Sequence, residues 1–154
     1  MNIQNTSFKL AGLKLGYKTT NKDNKAMEDC GALWQHFGGS FLGTKLTNKV
    51  NNDIYAVYFD YDGDHTQPYA YFIGYRIPDD AVVPDGIETI TIPAQQYEEL
   101  SAKGQMPNCV ADAWRDIWKK DDINRAYGFD FEVYGPKAAD WNNAEITIYL
   151  SKMR

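Results

Sequence analysis

Nothing in this chain approaches the roughly 18 consecutive apolar residues that a membrane-spanning helix needs, and its first residues, MNIQNTSFKL, carry no apolar secretion core. The expectation is a cytoplasmic protein with no membrane partner. Cysteine is scarce: Cys30 and Cys109 stand far apart without a C-x-x-C pattern, and both are expected as reduced, buried thiols. The only histidines, His36 and His65, are too few for a multi-histidine metal site, so no metal is expected. Basic charge is short as well. Sixteen Lys and Arg against 21 Asp and Glu leave −5, a field that repels phosphate backbones and argues against direct nucleic-acid binding. Also missing are G-x-G-x-x-G, a P-loop and G-x-S-x-G; FGGSFLG has glycines without the lysine that cradles phosphate, so no cofactor is expected.

The chain instead abounds in rings. Eleven Tyr, seven Phe and four Trp make 14% of 154 residues, a length that fits one domain. Such content suits either a tyrosine-rich sheet core or an aromatic-lined cleft.

The spacing of apolar residues predicts the elements. SFKLAGLKLGYKT (7–19) reads as a strand whose glycines suggest a kink or bulge, followed by a helix over 21–39 with Met27, Cys30, Leu33, Trp34 and Phe37 on one face. IYAVYFDY (54–61) and YAYFIGYRI (69–77) form a hairpin. After the Pro-, Gly- and acid-rich joint at 78–86 come two strands in IETITIPAQQYEELSAKG. A helix over 108–120 follows, with Val110, Ala113, Trp114, Ile117 and Trp118 on one side, and then the strands FDFEVYG and AEITIYLSK. The two parts, about 7–77 and 87–152, run in the same order: strand, helix with a Cys then a Trp, strand, strand. The expected architecture is α+β: two pseudo-symmetric βαββ-type halves of a single domain (1–154), with antiparallel strands, one helix each and a groove between them.

The residue that demands explanation is Glu132, set between Phe131 and Val133 in a strand. It is either on a solvated face or held inside for a purpose, because an unpaired buried carboxylate costs several kcal/mol or neutralises itself. Laying YAVY (55–58) on FEVY (131–134) puts Ala56 at the position of Glu132, so the fold itself needs no charge there.

Other constellations are weaker. DYDGDH (60–65) has a calcium-loop rhythm, but His65 stands where the tight turn wants glycine and Tyr71 where a bidentate glutamate is needed, so it reads as an acidic hairpin turn. Trp34, Trp114 and Trp118 suit either the core or the groove, and Trp141, in a polar turn, suits the surface or a cover over the groove.

Taken together, LWQHF, YAVYFDYDGD, FIGYRIP, IPAQQYEELSAKG, AWRDIW and FDFEVYGP resemble the effector-binding domain family, over roughly residues 7–152. That GyrI-like family includes the gyrase-inhibitory protein and the ligand domains of AraC-type and MerR-type multidrug regulators. The closest likeness is to the stand-alone integron-cassette effector-binding proteins. The resemblance implies a two-fold fold with a central cleft, where a late-strand glutamate meets lipophilic cations amid aromatic rings. Glu132 takes that place, with Tyr55, Tyr58, Tyr75, Trp34, Trp114 and Met27 as candidate ligand-binding residues. Cys30 and Cys109 fall near where some relatives have helix-start tyrosines. The implied function is binding of lipophilic cationic small molecules, as a stand-alone sensor or sequestrant or beside a separate regulator protein, with a homodimer also compatible. Two alternatives come with the resemblance: a small hydrolase of cyclopropane-bearing genotoxins using Glu132 as acid/base, and a protein-interaction module such as a gyrase inhibitor. Binding is preferred over turnover, and no catalytic residue is assigned. There is no length ahead of Phe8 for a helix-turn-helix, so transcriptional regulation would need another chain.

Overall fold

The computed structural model describes residues 2–4, 6–120 and 123–153. Eight strands and three helices follow in the order β1 (Asn2–Gln4), β2 (Phe8–Lys14), α1 (Lys25–Gly39), α2 (Leu42–Lys45), β3 (Ile54–Phe59), β4 (Ala70–Ile77), β5 (Glu88–Ile92), β6 (Gln96–Gly104), α3 (Asn108–Lys119), β7 (Asp130–Tyr134) and β8 (Ala144–Ser151). All strands join one antiparallel sheet in the order β1-β6-β8-β7-β3-β4-β2-β5.

That order is a palindrome of the chain. In the first half β2-α1-β3-β4 pairs as β3-β4-β2, and in the second β6-α3-β7-β8 pairs as β7-β8-β6. The outermost strands are exchanged, β1 adding to β6 and β5 to β2, so each half lends a strand to the other. The pseudo-two-fold runs between β3 and β7, where Ala56 and Glu132 are direct register partners. Their equivalence therefore has a structural counterpart: the first half places a fully buried methyl where the second places a carboxylate.

The expected bulge in β2 is not there. Lys9 through Lys14 pair with Ile77 through Phe72 without a break. Gly12 stands opposite Gly74, and a Cβ on Gly12 would run into the Ile73 carbonyl oxygen, so the glycines serve close approach of two backbones. Helix α1 begins at Lys25, later than 21, because Asp23 and Asn24, in the 3-10 turn Lys22–Asn24, adopt left-handed backbone (φ 54° and 58°). Its start is tied down by Asp29, which accepts hydrogen bonds from Tyr17, Thr19 and Lys25. The short α2 had no periodic signal in four residues. In the acidic hairpin turn, Lys18 pairs with Asp60 and Asp62, while Asp64 accepts from Thr66.

Side-chain alternation divides the sheet into two faces. Phe8, Leu10, Tyr55, Val57, Tyr97 and Phe131 gather on one. The sheet curls enough that Phe8 of β2 meets Phe131 of β7, three strands along, at 5.8 Å between ring centroids, so this face packs on itself. The other face carries both long helices. Helix α1 packs on β2 and β4, and α3 on β6, each over the outer strands of one half. Over the central pair, β3 and β7, the two helices leave a gap.

Candidate functional site

A cavity of about 790 Å³ occupies that gap, within the usual range of ~300–1,000 Å³ for small-molecule sites. Its walls come from α1 (Met27, Cys30, Trp34), from α3 (Val110, Trp114, Trp118) and from the floor strands (Tyr58, Tyr71, Glu132, Tyr134). Glu132 is only 1% exposed. Three donors hold it: Tyr58 Oη and Trp114 Nε1 donate to Oε2 at 2.9 and 2.5 Å, and Tyr134 Oη donates to Oε1 at 2.7 Å. All three donors are neutral. Burial drives the Glu132 carboxyl above its ordinary value of 4.5, and these hydrogen bonds pull the other way. The phenols of Tyr58, Tyr71 and Tyr134 are pushed well up, by burial first and then by the Glu132 charge, so they stay protonated.

The rings obey the pseudo-two-fold, as the carboxylate does not. Tyr58, two residues after Ala56, and Tyr134, two after Glu132, each meet the tryptophan of the opposite half: Tyr58 with Trp114 and Tyr134 with Trp34, both at 5.0 Å between centroids. Trp114 spends its indole N–H on Glu132, whereas Trp34 donates to Tyr71 at 2.8 Å. A nearly symmetric aromatic box thus holds one off-centre negative charge.

Two residues back on the same strand face lies a second buried carboxylate, Asp130, 0% exposed. Arg125 Nη2 donates to its Oδ2 at 2.7 Å, Tyr61 Oη donates to the same oxygen, and the Ser151 amide and hydroxyl donate to Oδ1.

Of the residues singled out from sequence, the structure brings Glu132, Tyr58, Trp34 and Trp114 together in one cavity, with Met27 at its wall, 63% exposed. Two belong elsewhere. Tyr55 points to the opposite sheet face, packed against Phe8 and Phe131, because odd and even positions of β3 face opposite ways. Tyr75 borders a separate hollow of about 540 Å³ with Phe37, Phe41 and Lys49, since it is the partner of Ile54 and Ala11 at the far end of β4. Cys30 is half-buried, not buried, for its helix face borders the cavity, and its thiol is pushed up by burial; Cys109 is buried, and both are free. Trp141 lies at the rim, 61% exposed, and its carbonyl accepts from the Met106 amide just before α3.

Sequence reasoning passed over Tyr71, Tyr134, Tyr61 and Arg125. Tyr134 was within reach of the two-residue period from Glu132. Tyr71 and Arg125 had no local signal, since they reach the site through β4 pairing and an irregular segment.

The family profile of the integron-associated effector-binding protein Cass2 matches residues 3–151. This chain belongs to that family. Among curated relatives, the chain is 27% identical over 123 residues to the putative transcriptional regulator protein YobU of Bacillus subtilis (strain 168), covering 78% of this chain and 77% of that one. Among solved structures it resembles the integron cassette protein VCH_CASS2 of Vibrio cholerae (TM-score 0.75, 22% identity, covering 98% of this chain and 94% of that chain). It also resembles SAV2435 bound to tetraphenylphosphonium (TM-score 0.77, 18% identity, covering 98% and 92%). At these identities the two structures establish the fold, a GyrI-like α+β architecture, as expected. Among the described residues no helix is long and apolar enough to cross a membrane.

Proposed function

We propose that the protein captures lipophilic cations in the central cavity, with Glu132 as the counter-charge and Tyr58, Trp114, Trp34 and Tyr134 as ring walls. It would act as a sensor or sequestrant, or as the ligand-binding partner of a transcription regulator. The observation that carries this reading is the contrast along β7. Asp130 is buried with its own cation, Arg125, while Glu132 is buried among neutral donors alone. A carboxylate desolvated without a counter-charge gains most from a cation brought from outside. The choice of a lipophilic cation follows from the walls. A compact ammonium would lose too much hydration to enter, whereas a delocalised cation loses little and gains about 0.5–2 kcal/mol from each well-placed ring face. That SAV2435 binds tetraphenylphosphonium supports the same class of ligand.

The test is a titration of tryptophan fluorescence with tetraphenylphosphonium and with triphenylphosphine oxide, a neutral compound of related shape, on wild type and Glu132→Gln. The expected outcome is saturable binding of the cation, weakened at least tenfold by the substitution, about 1.4 kcal/mol, with the neutral compound unaffected. Equal binding of both by wild type would remove Glu132 from the role.

A further inference from the structure

The Arg125 side chain is only 5% exposed and lines the same cavity as Glu132. Its ion pair with Asp130 uses one nitrogen, Nη2, and leaves Nε and Nη1 buried with no acceptor among the described residues. A guanidinium frequently meets a carboxylate with two parallel N–H bonds. Here the second position on Asp130 Oδ2 is taken by Tyr61, and Oδ1 is filled by Ser151. Asp130 is therefore saturated while Arg125 is not. Buried charged N–H groups without partners are costly, and in native proteins they are met by water or by a ligand.

The surroundings hold the guanidinium without satisfying it. The Tyr127 ring lies 4.3 Å from its Cζ and the Trp114 ring 5.9 Å. These contacts offset part of its desolvation but supply no oxygen or nitrogen acceptor. Tyr127 itself sits in the left-handed region (φ 53°), which a bulky residue avoids unless its surroundings impose it. Trp114 also links the two charges, its N–H on Glu132 and its ring near Arg125. The cation-seeking and acceptor-seeking groups are thus separated by about one indole.

Resting on the cation-binding reading above, we propose that Arg125 is a second polar subsite of the cavity, taking a carboxylate of the same ligand. The ligand class narrows accordingly, to aromatic cations that carry a carboxylate across one ring system from the cationic centre.

The experiment compares a matched pair of dyes, rhodamine B with its free carboxylate and rhodamine B ethyl ester, by fluorescence polarisation on the full chain. Wild type is expected to bind the acid at least tenfold more tightly than the ester. Arg125→Lys keeps a charge beside Asp130 but loses the planar fork, and should retain less than a third of that preference. Arg125→Met combined with Asp130→Asn, which leaves neither charge unpaired, should abolish it, bringing the acid-to-ester affinity ratio to about one. Glu132→Gln should weaken both dyes alike and preserve their ratio. Equal affinity of wild type for acid and ester, as expected if water alone fills the site, would overturn the inference and leave the cation reading standing. So would a ratio that survives both Arg125 variants. Binding indifferent to Glu132→Gln would remove the cation reading, and with it the cationic half of the ligand class, while the ratio still judged Arg125. No binding of either dye to wild type would overturn both.

Discussion

Asp130 and Glu132 sit two residues apart on one strand face, equally buried, and differ in what meets them. Arg125 meets Asp130 with a full positive charge at 2.7 Å, whereas neutral Tyr58, Trp114 and Tyr134 only soften the burial of Glu132. The consequence is a sign that can be measured. Since the folded Glu132 carboxyl titrates above its unfolded value, the folded state holds more protons between 4.5 and that raised value. Its contribution to stability is complete below 4.5 and is lost as pH rises through the folded value. Urea unfolding of wild type and Glu132→Gln from about pH 4 to 8 should show the wild type losing stability relative to the variant as pH rises. Asp29 and Asp64, both held low by hydrogen bonds, contribute the opposite slope in both proteins and cancel in the difference. A flat difference across this range would mean that Glu132 is not desolvated in the apo protein.

At the scale of the element, β3 shows why naming an aromatic strand does not name its binding residues. IYAVYF sends Ile54, Ala56 and Tyr58 to the helix-covered face and Tyr55, Val57 and Phe59 into the curl of the sheet. Tyrosines three positions apart therefore serve different cores. Removing the Tyr58 hydroxyl takes one of three donors from the Glu132 carboxylate, an interaction with a charged group worth about 1.5–3 kcal/mol. Tyr58→Phe should then shift the midpoint of the pH dependence of tetraphenylphosphonium binding upward by about one unit or more, affinity rising with pH on both sides of the comparison. Tyr55→Phe should leave that midpoint in place, because its ring packs on Phe8 and Phe131 on the other face. Fluorescence titrations at a series of pH values check both. Helix α3 follows the same logic: Cys109, Trp114 and Ile117 are buried, while Trp118 turns to stack on His65 at 5.7 Å, across the gap from the other half.

The whole molecule is a duplicated unit closed by strand exchange, with its cavity on the pseudo-two-fold. Tyr58 meets Trp114, Tyr134 meets Trp34 and His65 meets Trp118, so three ring pairs of the wall join the two halves. A ligand there touches both halves at once and should stabilise the chain as one unit. At a free concentration a hundredfold above Kd, mass action adds about 2.7 kcal/mol. Thermal unfolding should accordingly remain a single transition that moves upward with tetraphenylphosphonium, and Glu132→Gln should lose most of the movement at the same concentration. Two transitions, only one of which moves, would place the ligand within one half.

Much of this was legible in the chain because it depends on local pattern. The strand pairs, the two long helices and their order follow from periods of 2 and 3.6 residues, and the repeat order follows from comparing the halves. Glu132 stood out because it breaks a buried pattern, and Ala56 in the equivalent place separated charge from fold. Side-chain face, however, turns on register, and register is a tertiary matter: it took pairing of β3 with β7 and β4 to send Tyr55 away from Glu132 and to bring Tyr71 beneath Trp34. The exchange of β1 and β5 and the curl that lets Phe8 reach Phe131 depend on pairings between segments remote in sequence. Arg125 is the extreme case. It lies in an irregular segment with no period, and only the closing of β7 and β8 around it decides that one edge meets Asp130 while the other finds no partner among the described residues. The sequence by itself determined which elements form and that one carboxylate has no structural need. Only the tertiary structure decided what surrounds that carboxylate, because burial and hydrogen-bond partners belong to the packed chain and to no stretch of it.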